Sequence, residues 1–315
     1  MNSPHASLPP EGAQCPPRDG PAAGMIKHLV VVGVGLIGGS FALDLKQHGL
    51  VERVTGIGRS RANLETALKL GIIDAIGDDL ASAAASADLI MLAVPVGAMP
   101  SLFAELAPVV PSTCIVTDVG STKQDVIAAA RAGLGERIVQ FVPGHPIAGA
   151  ETNGAAAARQ GLYVDKPFIL TPLPENRAAD VQTVESLWLA CGARVARMDA
   201  ALHDQVFAAV SHLPHLLAFA LMDELACRPL AETYFRYAGA GLRDATRIAG
   251  SHPEMWRDIT LANRDALLDE LDALGEKLKS VRALVAARDG AALEQVYSRA
   301  REARTNWLQG KYNND

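Results

Sequence analysis

Four cysteines, Cys15, Cys114, Cys191 and Cys227, are scattered along the chain with no Cys-x-x-Cys pair. That argues against a zinc site and against a small disulfide-stapled secreted domain. A reducing cytoplasm is the expected location. The chain also has no obvious run of the roughly twenty apolar residues that a membrane helix needs. The apolar stretch from Leu29 to Ile37 is short and broken by glycines, so no membrane partner is expected. Lysine and arginine number 29 against 35 aspartates and glutamates, a formal net charge of -6. They form no cluster of the kind that neutralises nucleic-acid phosphates, which excludes nucleic acid as an expected partner. The residues before Met25 lack the basic start and apolar centre of a signal peptide. Their Pro-, Gly- and Ala-rich composition predicts a disordered tail over residues 1–24.

What the chain does have is enough apolar residue, 49% of 315 positions with 20% charged, to bury a sizeable core. Its length exceeds the roughly 100–200 residues of one domain. Two domains are expected. Between His28 and Arg197 the pattern alternates. Strand runs at His28–Val32, Arg53–Ile57, near Ala75, Asp88–Val94, Cys114–Asp118, Ile138–Val142, Phe168–Leu170 and Arg194–Arg197 are separated by helical stretches at Ile37–Gln47, Ala62–Lys69, Ser101–Leu106 and Val181–Cys191. Repeated strand and helix units imply an α/β domain, a doubly wound parallel sheet covered on both faces, over residues 25–199. From Ala201 to Trp307 helical periodicity takes over, which predicts an all-helical domain over residues 200–315. Its apolar positions, such as Leu216, Phe219, Ala220 and Met222, exceed the needs of one small bundle and predict a homodimer.

Gly33-Val-Gly35-Leu36-Ile37-Gly38 follows the first strand and opens the first helix, the context that a dinucleotide-binding turn requires. Gly33 allows the tight turn and Gly35 lets backbone approach a pyrophosphate. Gly38 lets helix and strand pack closely, and the helix N-terminus favours the negative charge. A purely structural glycine turn is the bland alternative. The acid expected about twenty residues on, which would hold the ribose 2′-hydroxyl of NAD, is missing. Gly58-Arg59-Ser60-Arg61 stands at the end of the second strand instead. A guanidinium and a hydroxyl suit a 2′-phosphate, so NADP is favoured over NAD, unless Arg59 and Arg61 are only solvated. Val94 and Pro95, at the end of the Asp88 strand, complete the expected cofactor contacts.

Two further motifs carry chemistry. Asp118-Val-Gly-Ser121-Thr-Lys123 places a hydroxyl and an ammonium at the carboxyl end of the sheet, where ligands bind. Ser121 could equally be a helix N-cap, or do both. Gly144-His145-Pro146 fixes an imidazole beyond the next strand, and histidine titrates near neutrality as a general base should.

In combination with Ser211-His-Leu-Pro-His215, Thr246-Arg247-Ile-Ala and Met255-Trp-Arg-Asp258, these motifs make the chain resemble the prephenate and arogenate (cyclohexadienyl) dehydrogenases from Lys27 to about Asp258. The resemblance implies a Rossmann-like domain joined to a helical dimerisation domain similar to that of 6-phosphogluconate dehydrogenase. It implies oxidative decarboxylation of prephenate or arogenate on the route to tyrosine. His145 would be the catalytic base on the ring hydroxyl, and Ser121 would contact the same hydroxyl. Arg247 would hold the side-chain carboxylate, with Glu151 and Asp244 steadying it or gating the entrance. Ser211, His212 and His215 would line the substrate pocket, with Trp256 nearby. Without the resemblance, the histidine pair could be a hydrogen-bonding patch or an incomplete metal site, and Trp256 could be core.

The implied chemistry needs no metal, because aromatisation drives it and the protein has only to position the substrate and accept a proton. An NADP-dependent β-hydroxyacid dehydrogenase is the nearest alternative, although such enzymes employ a lysine where Ser211-His-Leu-Pro-His215 stands. A non-catalytic NADP-binding regulator is the other. No regulatory domain is expected after Trp307, so feedback inhibition by tyrosine would act at the substrate pocket.

Overall fold

The computed structural model describes residues 24–149 and 152–311. Cys15 and the expected tail, except for Gly24, lie outside them, as does Glu151. Strand β1 (Ile26–Val32) leads into helix α1 (Leu36–Gln47), β2 (Val51–Ile57), α2 (Arg61–Lys69), β3 (Ala75–Ile76) and α3 (Leu80–Ala84). Then come β4 (Leu89–Leu92), α4 (Met99–Leu106), β5 (Ile115–Asp118), α5 (Gln124–Leu134) and β6 (Phe141–Val142). These six strands form one sheet of order β3-β2-β1-β4-β5-β6, every pairing parallel. The order reverses between β1 and β4, and ligands bind beyond the strand ends at such a switch.

Both faces of the sheet are covered. Leu29 and Val31 of β1 and Leu89 and Met91 of β4 enter one core, while the alternate residues Val30, Val32, Ile90 and Leu92 enter the other. A strand buried on both faces must be apolar at every step, and this explains the unbroken runs in the sequence. Each such side chain contributes about 1.5–3 kcal/mol by leaving water.

Two expectations fail beyond β5. The strand expected over Ile138–Val142 is a 3-10 turn from Gly135 to Gln140, and only Phe141–Val142 joins the sheet. Gly135 takes φ +57°, ending α5 and starting the turn. Gln140 Nε2 then donates to the carbonyls of Pro111 and Cys114, at 2.6 Å each. The sheet is also not continuous. Pro143 has no N–H to extend the β6 ladder. The chain forms a second, three-stranded sheet from β7 (Gly144–Pro146), β8 (Pro167–Leu170) and β9 (Arg194–Arg197), with α6 (Ala178–Ala190) before β9. β7 runs antiparallel to β8, pairing His145 with Ile169, and β8 runs parallel to β9.

The remainder is helical: α7 (Ala200–Phe207), a π-helical turn over Ala208–His212, α8 (Leu213–Ala226), α9 (Ala231–Arg236), α10 (Ala240–Thr246), α11 (Pro253–Ala262), α12 (Arg264–Ala287) and α13 (Gly290–Leu308). The described residues fall into two compact units, one within Met1–Asp204 with Gly250–Ala262 and one within Gln205–Ala249 with Asn263–Asp315. Helix α11 therefore belongs with the sheets. The continuous helix Ala200–Ala226 is, by length and composition alone, long and apolar enough to cross a membrane, with a mean hydropathy of 1.4 over its best window. That corrects the expectation that no stretch approaches this length. The segment nevertheless carries the buried polar side chains of His203, Asp204 and His212.

Candidate active site

At the switch between β1 and β4, each motif glycine has a distinct geometric reason. Gly33 takes φ +95°, and a Cβ there would sit 2.2 Å from the carbonyl oxygen of Ala93 and 3.0 Å from Val94 Cγ1. Only glycine lets the two strand ends approach so closely. A Cβ on Gly38 would lie 2.7 Å from both Gly33 O and Val31 Cγ1, so this residue sets the contact between α1 and β1. A Cβ on Gly35 would meet nothing within 4 Å. The backbone there borders open space at the start of α1, which has no side-chain cap. Uncapped N–H groups at the positive end of a twelve-residue helix suit a pyrophosphate, so these residues fit a nicotinamide dinucleotide.

The flanking residues hold this cradle. Leu36 is buried, and the carbonyl of Ile37 accepts from Tyr163 Oη at 2.6 Å. Asn63 donates to the carbonyl of Val34 at 2.7 Å and accepts from Ala155 N at 2.8 Å. Val94 and Pro95 are half-buried just past β4. Arg59 and Ser60 are exposed just past β2. Ser60 Oγ caps α2 by accepting from Asn63 N at 3.3 Å, and its hydroxyl hydrogen remains a donor. Arg61 pairs with Glu65 along α2.

Beyond β5, the structure corrects the reading of Lys123. Its ammonium is wholly buried and does not face a ligand. It lies 2.5 Å from Asp118 Oδ2, both side chains being fully buried, and donates to the carbonyl of Gly144 at 2.8 Å. Asp118 also accepts from Gly144 N at 3.1 Å and Gly120 N at 2.7 Å. The ion pair thus grips both sides of the Gly144 peptide, next to the histidine. The capping role considered for Ser121 falls to another residue. Asp204 accepts from Lys123 N at 2.8 Å and Gln124 N at 2.9 Å at the start of α5, and Ser121 sits half-buried in the bend before it.

His145 is buried in β7, not in a loop. Its Nδ1 lies 2.9 Å from His203 Nε2, and His203 Nδ1 lies 2.8 Å from Asp204 Oδ1. Burial holds His203 below the usual histidine range despite the raising influence of Asp204, so the ring is neutral near pH 7. For Asp204, burial acts upward, but the bonds from His203, Gln124 and Lys123 outweigh it and keep the carboxyl below its ordinary value. His203 and Asp204 were not singled out from the sequence. The available signal was two adjacent titratable residues in the Ala200–Phe207 segment, which is apolar apart from them and Gln205. Gly144 has a steric reason as well: a Cβ there would lie 2.2 Å from Phe168 Cζ, and that ring stacks on Trp188 at 4.1 Å. Trp256 is buried on α11, in the same unit.

In the other unit, Ser211 and His212 fall in the π-helical turn and His215 in the first turn of α8. Asn263 Nδ2 lies 3.0 Å from His212 Nδ1, and His215 Nδ1 donates to the carbonyl of Ser211 at 2.8 Å. His215 is held below the usual histidine range by burial first, against the raising bond to Ser211, with a further lowering by the nearby Arg247. The structure therefore joins His215 to Ser211 and sets Arg247 close enough to act on His215, while Arg247 and Asp244 are both exposed. Among the described residues, no group of three or more His, Cys, Asp and Glu could hold a metal ion.

Residues 41–197 match the family described as prephenate dehydrogenase, nucleotide-binding domain, and residues 199–298 match its dimerization domain. The chain is 36% identical over 282 residues to a cyclohexadienyl dehydrogenase of Zymomonas mobilis, covering 89% of this chain and 96% of that protein. It is similar to the crystal structure of prephenate dehydrogenase from A. aeolicus in complex with hydroxyphenyl propionate and NAD+, at 33% identity and a TM-score of 0.83, covering 89% of this chain and 98% of that one. A Synechocystis arogenate dehydrogenase structure is similar at 28% identity and a TM-score of 0.74, covering 89% and 99%.

Proposed function

Because the chain belongs to the prephenate dehydrogenase family, we propose that it oxidises and decarboxylates prephenate, arogenate or both with a nicotinamide dinucleotide. The products would be 4-hydroxyphenylpyruvate or tyrosine, and carbon dioxide. The observation that carries this reading is His145, a buried imidazole hydrogen-bonded through its Nδ1 in the same unit as the glycine cradle. His145 Nε2 takes the proton of the ring hydroxyl, and Ser121 contacts that hydroxyl. A nicotinamide dinucleotide held at the Gly33, Gly35 and Gly38 turn would supply the hydride acceptor for the same carbon. The new carbonyl is conjugated to the carbon bearing the carboxylate, so loss of carbon dioxide leaves an aromatic phenol. Arg247 binds the side-chain carboxylate, because its planar fork matches two oxygens at once. Ser211, His212, His215, Glu151 and Trp256 contribute to substrate binding.

NADP is the preferred cofactor, on the strength of Arg59, Ser60 and the missing acid after β2; the A. aeolicus relative was crystallised with NAD+. Residues 25–199 serve the cofactor, and residues 200–315 serve substrate binding and a cytoplasmic homodimer. The apolar residues left exposed on the helices, such as Leu217, Leu221 and Leu261, support the dimer. Tyrosine, where it inhibits, competes at the substrate site. The test offers prephenate and arogenate in turn, each with NAD and with NADP, and follows the absorbance of reduced nicotinamide. Reduction with either acid is expected. If neither acid reduces either cofactor, the reading fails in favour of a catalytically idle dinucleotide-binding protein.

A further inference from the structure

We propose that His203 and Asp204 are positioning residues that fix the tautomer of His145, so that the ring presents an unprotonated Nε2 to the substrate hydroxyl. The inference rests on the proposed role of His145 as the base, and the contacts are those of a directed hydrogen-bond line. The Asp204 carboxylate can only accept, so the proton on His203 resides on Nδ1, 2.8 Å from Asp204 Oδ1. His203 Nε2 then carries a lone pair and accepts from His145 Nδ1 at 2.9 Å. A neutral His145 with its proton on Nδ1 has its basic lone pair on Nε2.

The direction of the line depends on its far end. Asp204 is held as an acceptor by the backbone N–H groups of Lys123 and Gln124. The charges that act on His203 include those of Asp204, Lys123 and Asp118, the last two forming an ion pair at 2.5 Å. His203 is fully buried and remains neutral, as an acceptor must. In the reaction, the hydroxyl proton passes to His145 Nε2 and returns to the oxygen when loss of carbon dioxide forms the phenol. The positive charge that forms on that ring is stabilised through His203 by the carboxylate, and no proton reaches Asp204.

Two variants and one spectrum test this. His203→Leu keeps apolar bulk but offers His145 no acceptor. Its kcat should fall by about tenfold or more, a share of what a general base supplies, with substrate and cofactor KM unchanged within about twofold. His203→Gln places a carbonyl oxygen near the former Nε2 and should recover most of that loss. In protein labelled with 15N-histidine, two-bond proton–nitrogen correlations should show His145 of the wild type protonated at Nδ1. The signals are assigned by their disappearance in His145→Asn and His203→Gln. A wild-type kcat in His203→Leu overturns the proposal. So does a Gln variant no better than Leu, a rise in KM that accounts for the loss, or a His145 ring protonated at Nε2. If the Leu variant does not fold, the wild-type spectrum decides alone. If the wild-type protein reduces neither cofactor with either acid, the assigned reaction fails, while the spectrum still tests the tautomer.

Discussion

His145 Nδ1 lies 2.9 Å from His203 Nε2, and the two rings meet edge to face with centroids 5.1 Å apart. One residue lies in the middle of a three-residue strand and the other on the helix that follows the second sheet. Between them, Lys123 contributes to both attachments. Its ammonium holds the carbonyl of Gly144 and its backbone N–H donates to Asp204. The backbone and the ring of His145 are thus fixed from one point, which is the pre-organisation a base needs.

Replacing His145 by Asn should lower kcat by a factor on the order of 10²–10⁴, because the amide has no titratable base. Asparagine can still donate toward His203, so the fold and the affinity for the reduced cofactor should hold. Steady-state kinetics and cofactor fluorescence check this, and a wild-type rate would remove His145 from its role.

Arg247→Ala should act mainly on substrate KM. Losing a charge-assisted contact worth about 1.5–3 kcal/mol raises KM by about 10- to 100-fold, while kcat stays within about threefold. An unaltered KM would reassign the carboxylate to another group.

Arg59→Ala should weaken NADP and spare NAD, because the guanidinium would meet only the 2′-phosphate. An increase of about tenfold in the KM for NADP is expected. Equal effects on both cofactors would show that Arg59 does not read the phosphate.

Gly144→Ala forces a methyl against Phe168 Cζ, and the stacking on Trp188 leaves that ring little room to retreat. Overpacking of this kind destabilises by about 1–3 kcal/mol. Because the Gly144 peptide bears the grip of Asp118 and Lys123, kcat should fall with stability. Denaturant unfolding and kinetics on the same preparation measure both, and a fully stable, fully active variant would refute the steric account.

Asp44, buried on α1, is pushed up to about 6 by burial, offset in part by the N–H of Gly161 and by His48. The folded state therefore holds its proton more tightly than the unfolded chain, whose value is near 3.8. The stabilisation is complete below the unfolded value and is lost as pH rises through about 6. Asp44→Asn should raise the melting temperature more at about pH 8 than at about pH 5. Equal shifts at both pH values would place the origin elsewhere.

Much of this was legible in the sequence. The unbroken apolar runs of β1 and β4 read as strands because both faces are covered, and Gly33 and Gly38 each have a local steric reason. What could not be read depends on contacts distant in sequence. Lys123 resembled a ligand-facing ammonium because only the fold brings the carbonyl of Gly144, 21 residues on, to join Asp118 in enclosing it. Nothing in the run Ile138–Val142 shows that Gln140 bonds to Pro111 and Cys114 instead of extending a strand. His203 and Asp204 were hidden in an apolar helix, 58 residues or more from the histidine they serve.

Asp204 accepts from the amides of Lys123 and Gln124 and from the imidazole of His203. An asparagine would turn an N–H toward one of these donors, and an alanine would strand all three. The same side chain starts a helix and orients the chemistry, so neither duty can be altered without the other. Damage at the first turn of α5 should therefore surface as slowed turnover together with lowered stability.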